Sequence, residues 1–275
     1  MIKIFTDSAA NLPRTLTEEL GVKVIPFTCT VGERTLSEFS NDFDAKRYYG
    51  ILRSGVVAKT SMINPYSFTE SFESALINGD DVLYIGMSSG ISGTFGSACA
   101  AAEELKSKYP DRAIEVADTR AASLGEGMLV IKAAEYAKSG ETCKKIAERV
   151  RESANEMNQI FTVEDLKYLR KSGRVCTLAA IIGGILDIRP VLIGNAEGKI
   201  VVKTKTRGAK KAINALADDY ALKVNDKTQP VGIAHADNPQ GANALISALK
   251  ERGFTGELLL EEYEPVTGAH VGPGT

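Results

Sequence analysis

The chain has 275 residues, 44% of them apolar, with 33 Lys and Arg against 35 Asp and Glu and a net charge of −2. That length suits two domains, and that composition is ordinary for a folded protein. Balanced charge without a long basic run argues against nucleic acid or an anionic membrane as partner.

The densest basic cluster, Lys203, Lys205, Arg207, Lys210 and Lys211, reads as a solvated strand end and helix face. Cys29, Cys99, Cys143 and Cys176 form no C-x-x-C pair and fit a reducing cytosol, where they are expected as small buried hydrophobes. Only His235 and His270 are present, which excludes a His-rich metal site, and no metal is expected. The early charge at Lys3 does not suit a signal peptide, and the apolar stretch at 175–186 is too short to span a bilayer. A cytoplasmic, bacterial protein without integral membrane association is expected.

In chain order, residues 2–5 predict a short buried strand that gives way to the polar Thr6-Asp7-Ser8. Leu12-Pro13 opens a helix to Leu20, and 22–28, alternating and rich in β-branched residues, predicts a second strand. Gly32-Glu33 predicts a hairpin turn, and 43–52 has helical spacing. Asn64-Pro65 starts a helix, with Asn as cap and Pro at the first helical position; Phe68, Phe72, Ala75 and Leu76 then share one face. Residues 82–87 form a buried strand, followed by Ser88-Ser89-Gly90-Ile91-Ser92-Gly93-Thr94 and an Ala-rich helix to about residue 109. A strand at 113–116 and helices at 124–138 and 142–156 complete the alternation of a parallel sheet with crossover helices.

The pattern changes near Asn158. A strand at 160–163 precedes a short helix at 164–170, ended by Ser172-Gly173-Arg174. Strands at 188–193 and 199–205 flank the hairpin turn Asn195-Ala196-Glu197-Gly198. A helix at 209–222, a strand at 230–235, a helix at 239–250 and a strand at 257–263 follow. The expected fold class is α/β: a parallel-sheet α/β domain over 1–157, then an α+β domain with a mixed or antiparallel sheet over 158–275.

The loop at 88–94 carries the strongest chemical signal. Ligands bind at the carboxyl ends of strands in open parallel sheets, and this loop joins such an end to a helix. Its glycines permit close backbone approach, and its hydroxyls and the helix amides suit an anion. The competing reading is a helix cap by Ser92 or Thr94. Thr94 stands where a G-x-S-x-G elbow needs its second Gly, and neither a phosphate loop nor a dinucleotide loop is present. Thr60-Ser61, just before Asn64-Pro65, offers hydroxyls for the crevice of Ser92; the competing reading is a turn before a helix. Asp7 is expected to accept bonds from loop amides, a structural role, with service as a base the alternative. His270, between Gly268 and Gly272, is expected on a loop and ranks above His235 as a ligand.

Together these motifs resemble the DegV family of fatty-acid-binding proteins, which includes the lipid-carrier subunits of bacterial fatty acid kinase. The resemblance runs through Thr6-Asp7-Ser8, Thr60-Ser61, 88–94, Asp118-Thr119, Leu169 to Gly173-Arg174, Arg189-Pro190, Arg207, His235-Ala236-Asp237 and His270-Val271-Gly272-Pro273-Gly274. It implies a long-chain fatty acid, palmitate- or oleate-like, held between two domains. Thr60, Ser92 and His270 match its carboxylate ligands, with Ser61, Gly93 and Thr94 as supporting pocket. Arg174 and Arg207 match positions implicated in docking a kinase subunit that forms the acyl phosphate used in phospholipid metabolism. Two departures stand out. Thr60-Ser61-Met62-Ile63-Asn64 replaces the family's Thr-Ser-Gln-Pro-Ser, and relatives usually continue beyond Gly274-Thr275 into a last strand.

Leu178, Ala179, Ala180, Ile181, Ile182, Ile185 and Leu186, with room left at Gly183-Gly184, are a plausible apolar lining or ordinary core. Thr, Ser and His donors would serve a buried carboxylate without a fixed cation. The expected protein is a non-catalytic carrier with no cofactor beyond its fatty acid. The alternatives are a serine hydrolase using Ser92 with His270, a stand-alone phosphotransferase, or a binder of another apolar acid.

Overall fold

A computed structural model describes residues 1–35, 44–176 and 187–275. The apolar segment at 178–186 and the expected helix start at Phe43 lie outside the described residues. In chain order the elements are β1 (Ile2–Asp7), a 3-10 turn (Ser8–Ala10), α1 (Arg14–Leu20), β2 (Lys23–Ile25), β3 (Thr28–Val31), β4 (Arg34–Thr35), α2 (Ala45–Arg53), β5 (Ala58–Ser61), α3 (Pro65–Ile77), β6 (Asp81–Gly86), α4 (Thr94–Lys108), β7 (Ile114–Asp118), α5 (Leu124–Lys138) and α6 (Cys143–Glu156). They continue with β8 (Ile160–Thr162), α7 (Leu166–Ser172), β9 (Val175–Cys176), β10 (Ile188–Gly194), β11 (Ile200–Arg207), α8 (Ala209–Lys223), β12 (Val231–His235), α9 (Pro239–Glu251), β13 (Leu258–Glu262) and α10 (Pro265–Val271).

The chain divides into two compact units. One comprises Met1–Cys29, Thr60–Met157 and Ala196–Gly198; the other comprises Thr30–Lys59, Asn158–Asn195 and Lys199–Thr275. One junction falls between residues 157 and 158. A single cut there does not describe Thr30–Lys59, which groups with the second unit, or the turn Ala196–Gly198, which groups with the first.

The first unit is built on a four-stranded sheet in the order β2-β1-β6-β7, with every pair parallel. Successive strand residues point to opposite faces, so a strand covered on both faces reads as an unbroken apolar run. Leu83 and Ile85 of β6 pack with Leu129, Val130, Ile146 and Val150 of α5 and α6. Val82 and Tyr84 face the other way, onto Phe68 and Phe72 of α3 and Ala101 and Leu105 of α4. Asn64 caps α3 by accepting a bond from the Ser67 amide at 3.0 Å, with Pro65 at the first position. The strand order reverses direction at β1: β2 lies on one side and β6 on the other. The carboxyl ends of β1 and β6, at Asp7 and Gly86, are therefore the switch point where open α/β sheets bind ligands.

The second unit holds a mixed sheet, β8-β10-β11-β9, antiparallel except for the β9–β11 pair. A two-stranded parallel sheet, β12-β13, packs Ile233 against Ala217 and Tyr220 of α8 and Leu249 of α9. The fold class is the expected one.

Three local expectations change. The strand foreseen at 22–28 is two strands, β2 and β3, interrupted around Pro26, which has no amide to donate to a ladder. Thr60-Ser61 ends a strand, β5, rather than a turn; β5 joins the β4-β3-β5 sheet. Its sequence has only the small Ala58 as an apolar residue, so periodicity carries no strand signal. His270 lies on the helix α10, not on a loop. Glu264 caps that helix by accepting bonds from the amides of Val266 and Thr267 at 2.5 and 2.6 Å, and Pro265 fills its first position. The two glycines around His270 obscured a capped helix start.

Candidate functional site

The switch point is built around Asp7, which is wholly buried. Its carboxylate accepts from the amides of Ala9 and Met87 at 3.0 and 3.1 Å and from the Tyr84 hydroxyl at 2.7 Å. One side chain thus ties the exit of β1 to the exit of β6. Burial pushes the Asp7 carboxyl above its ordinary value, against the pull of Tyr84, Met87, Ala9 and the Glu126 carboxyl. Thr6 donates to that Glu126 carboxyl at 3.1 Å. The Tyr84 ring reaches Asp7 by lying over Gly86, where any Cβ would collide with it. Asp7 therefore has the structural role foreseen for it.

The loop after β6 is held just as closely. The amides of Ile91 and Ser92 both donate to the Ser88 carbonyl at 3.2 Å. Ser89 is fixed to Asp118 through its amide at 3.2 Å and its hydroxyl at 2.6 Å. Ser92 is half-buried, donates its hydroxyl to Thr94 Oγ1 at 2.9 Å and accepts from the Thr94 amide at 3.2 Å. The residue at the cap position of α4 is Gly93, which offers no side-chain cap. Ser92 thus covers a helix amide, as the cap reading expects, and its side chain remains partly accessible.

Thr94 is wholly buried and accepts from the Ile63 amide at 3.3 Å. That bond fastens the segment carrying Thr60 and Ser61 to the Ser92 loop within the first unit. Thr60 is half-buried and Ser61 exposed. Met62, where the family commonly has Gln, lies across Gly93: a Cβ at Gly93 would come within 2.9 Å of its sulfur. Met62 is 56% exposed, so a flexible apolar side chain stands beside the loop where a polar amide was the family pattern.

His270 belongs to the second unit. It is half-buried, and its pKa is pushed from 6.5 down to about 4, by burial first and by the positive charge of Arg174 second. His270 is therefore neutral at pH 7. Arg174 follows the Gly173 that ends α7 in a left-handed conformation, and its guanidinium donates to the Ser172 carbonyl. Arg174 thus places a positive charge in the field of His270. Arg207 is the exposed last residue of β11.

Tyrosines anchor α10. Tyr48 of α2 donates to the Pro265 carbonyl at 2.7 Å, and Tyr49 donates to the Tyr263 carbonyl at 2.7 Å. Tyr168 of α7 donates to the Leu52 carbonyl at 2.9 Å, and its ring fills the space beside Gly272. The sequence pattern does not single out these tyrosines, because the carbonyls they bond lie more than 100 residues away in the chain. His235 is a satisfied strand-end residue: Nδ1 accepts from the Asn238 amide at 3.3 Å. Among the described residues no group of three His, Cys, Asp or Glu is placed to hold a metal ion, and no helix is long and apolar enough to cross a membrane.

The fold and these motifs define a two-unit α/β protein with a hydroxyl-rich loop at its sheet switch point. The DegV family profile, a family described as uncharacterised, matches residues 1–275. The chain is 36% identical over 274 residues to a DegV domain-containing protein of Clostridium perfringens, covering 99% of this chain and 94% of that one. The fold matches the fatty-acid-binding DegV family protein of Thermus thermophilus with a TM-score of 0.85 and 29% identity, over 99% of this chain and 96% of the other. It also matches the fatty-acid-binding DegV family protein of Streptococcus agalactiae with a TM-score of 0.86 and 26% identity, over 100% and 96% of the two chains. The protein belongs to the DegV family.

Proposed function

We propose that this protein binds one long-chain fatty acid, with Thr60, Ser92 and His270 as ligands of its carboxylate. The carrying observation is the fastened pair of segments 60–63 and 92–94, in a chain whose family relatives bind fatty acids. Binding exchanges the neutral Ser92–Thr94 hydroxyl contact for a bond to a charged acceptor, which is about twice as strong. A neutral His270 carries one ring N–H, and Arg174 adds positive potential while the ring stays uncharged. Burial of the acyl tail, at about 0.8 kcal/mol per CH₂, supplies the retention.

The protein acts in this reading as a cytoplasmic carrier that presents the carboxylate to a separate kinase subunit, with Arg174 and Arg207 toward the partner. The hydrolase alternative requires Ser92 to give its proton to a base, whereas its hydroxyl donates to Thr94.

Mass spectrometry of a denaturing extract tests the binding directly. A stoichiometric acyl carboxylic acid is expected; its absence, together with no uptake of palmitate or oleate, rejects the proposal. Thr60→Val and Ser92→Ala should each lose about 1–3 kcal/mol of binding. Ester or ATP turnover abolished by Ser92→Ala would favour an enzyme. The carrier role is tested by acyl phosphate formation on adding a purified fatty acid kinase subunit and ATP. Arg174→Ala should lower that yield, and an unchanged yield removes the arginine from docking.

A further inference from the structure

We propose that Ser88 is a positioning residue of this site, clamping the turn Ala196–Gly198 onto the loop that carries Ser92 and so setting how long a fatty acid is retained. The retention part rests on the function proposed above; the clamp does not.

Ser88 is wholly buried. Its hydroxyl donates to the Gly198 carbonyl at 2.7 Å and accepts from the Gly90 amide at 3.1 Å. Its amide donates to the Ala121 carbonyl at 2.8 Å, and its carbonyl accepts from Ile91 and Ser92. A serine has one hydroxyl proton, and here it is committed to Gly198. Ser88 therefore serves as a brace for Ser92 and is not a further carboxylate donor.

The turn arrives as a closed piece. The Asn195 amide donates to the Lys199 carbonyl at 2.9 Å, and the Lys199 amide donates back to Asn195 Oδ1 at 2.8 Å. Two glycines let it seat. A Cβ on Gly90 would lie 2.7 Å from the Gly198 carbonyl carbon and 2.8 Å from its oxygen. Gly198 itself has φ +70°, a conformation side chains rarely adopt, and its added Cβ would strike Ser88 Oγ. At Gly90 the contact is backbone against backbone, so the turn cannot yield there by rotating a flexible side chain. Losing the clamp leaves the Gly198 carbonyl without its donor and frees the segment that fixes the Ser92 amide.

Two variants attack the clamp from opposite sides. Ser88→Ala removes the donor; Gly90→Ala keeps the Ser88 hydroxyl and wedges the turn away. Gly96→Ala, in open space on α4, is the control. Hydrogen exchange on the delipidated protein reads the amides of Ile91, Ser92 and Asn195. Stopped-flow release of a fluorescent fatty acid reads retention, and thermal melting monitors the fold. Both variants should speed exchange at these amides and release the ligand about tenfold faster, as expected for loss of one buried bond. The control should match wild type. Unchanged exchange in both variants overturns the clamp. Faster exchange with wild-type release overturns the positioning role. A wild-type protein that takes up no fatty acid overturns the proposed function instead, while the exchange experiment still decides the clamp.

Discussion

The Ser92 loop and the His270 helix are held by different physics. In the first unit, a loop between β6 and α4 is fixed almost entirely by hydrogen bonds to backbone, from Asp7, Ser88 and Asp118, at the end of a doubly covered parallel sheet. In the second unit, α10 is fixed by tyrosine hydroxyls and rings from α2 and α7, elements about 100 to 220 residues away in sequence. The polar loop keeps its hydroxyls in place through hydrogen bonds, among them those to Asp7 and Asp118, 80 and 29 residues away. The helix keeps a neutral imidazole by partial burial and a neighbouring cation.

The largest expected effect comes from cutting the brace of the first region. Asp7→Ala leaves the amides of Ala9 and Met87 and the Tyr84 hydroxyl without their acceptor. Urea unfolding should show a loss of about 3 kcal/mol or more, and a loss below about 1 kcal/mol would mean that the loop does not depend on this carboxylate.

The second region should respond to acid. The folded pKa of His270 lies at about 4, below the 6.5 of the unfolded chain. Unfolding then takes up a proton between these values, so acid favours the unfolded chain. Stability of the delipidated protein should be intact above pH 6.5 and fall progressively between pH 6.5 and 4. His270→Asn should remove that component of the slope; an unchanged slope assigns it to other groups.

Tyr49→Phe removes one anchor of α10 and leaves the Tyr263 carbonyl buried without its donor. A loss of about 1–2 kcal/mol in urea unfolding is expected, with the His270 imidazole resonance moving and the loop amides of Ile91 and Ser92 unmoved. A shift at both places would show that the two regions are one cooperative piece. The smallest effect is electrostatic. Arg174→Ala should raise the His270 pKa, followed by NMR titration, but leave it below 6.5, because burial is the larger cause. A return to 6.5 would reverse that ranking.

Much of the first region was legible in the sequence. An unbroken apolar run in β6, the Asn64-Pro65 cap and the Ser-Gly loop each carry a local signal that specifies strand, helix start or strand-to-helix loop. β5 gave no such signal, because Ala58-Lys59-Thr60-Ser61 has one small apolar residue only and its strand form comes from a place in the β4-β3-β5 sheet. α10 was missed for the opposite reason: Gly268 and Gly272 advertise a loop, while the tyrosine packing that requires those glycines is distant in sequence.

By itself, then, the sequence determined the elements of the parallel sheet, the family and the residue types able to meet a carboxylate. Those depend on periodicity, capping and motif order, which act over a few residues. The grouping of Thr30–Lys59 with the second unit, the protonation state of His270, the nearness of Arg174 and the seating of the Ala196–Gly198 turn on Ser88 were decided only by tertiary structure. Each depends on desolvation or on one close contact between segments far apart in the chain. A shift of an ångström would change any of them without altering the local pattern.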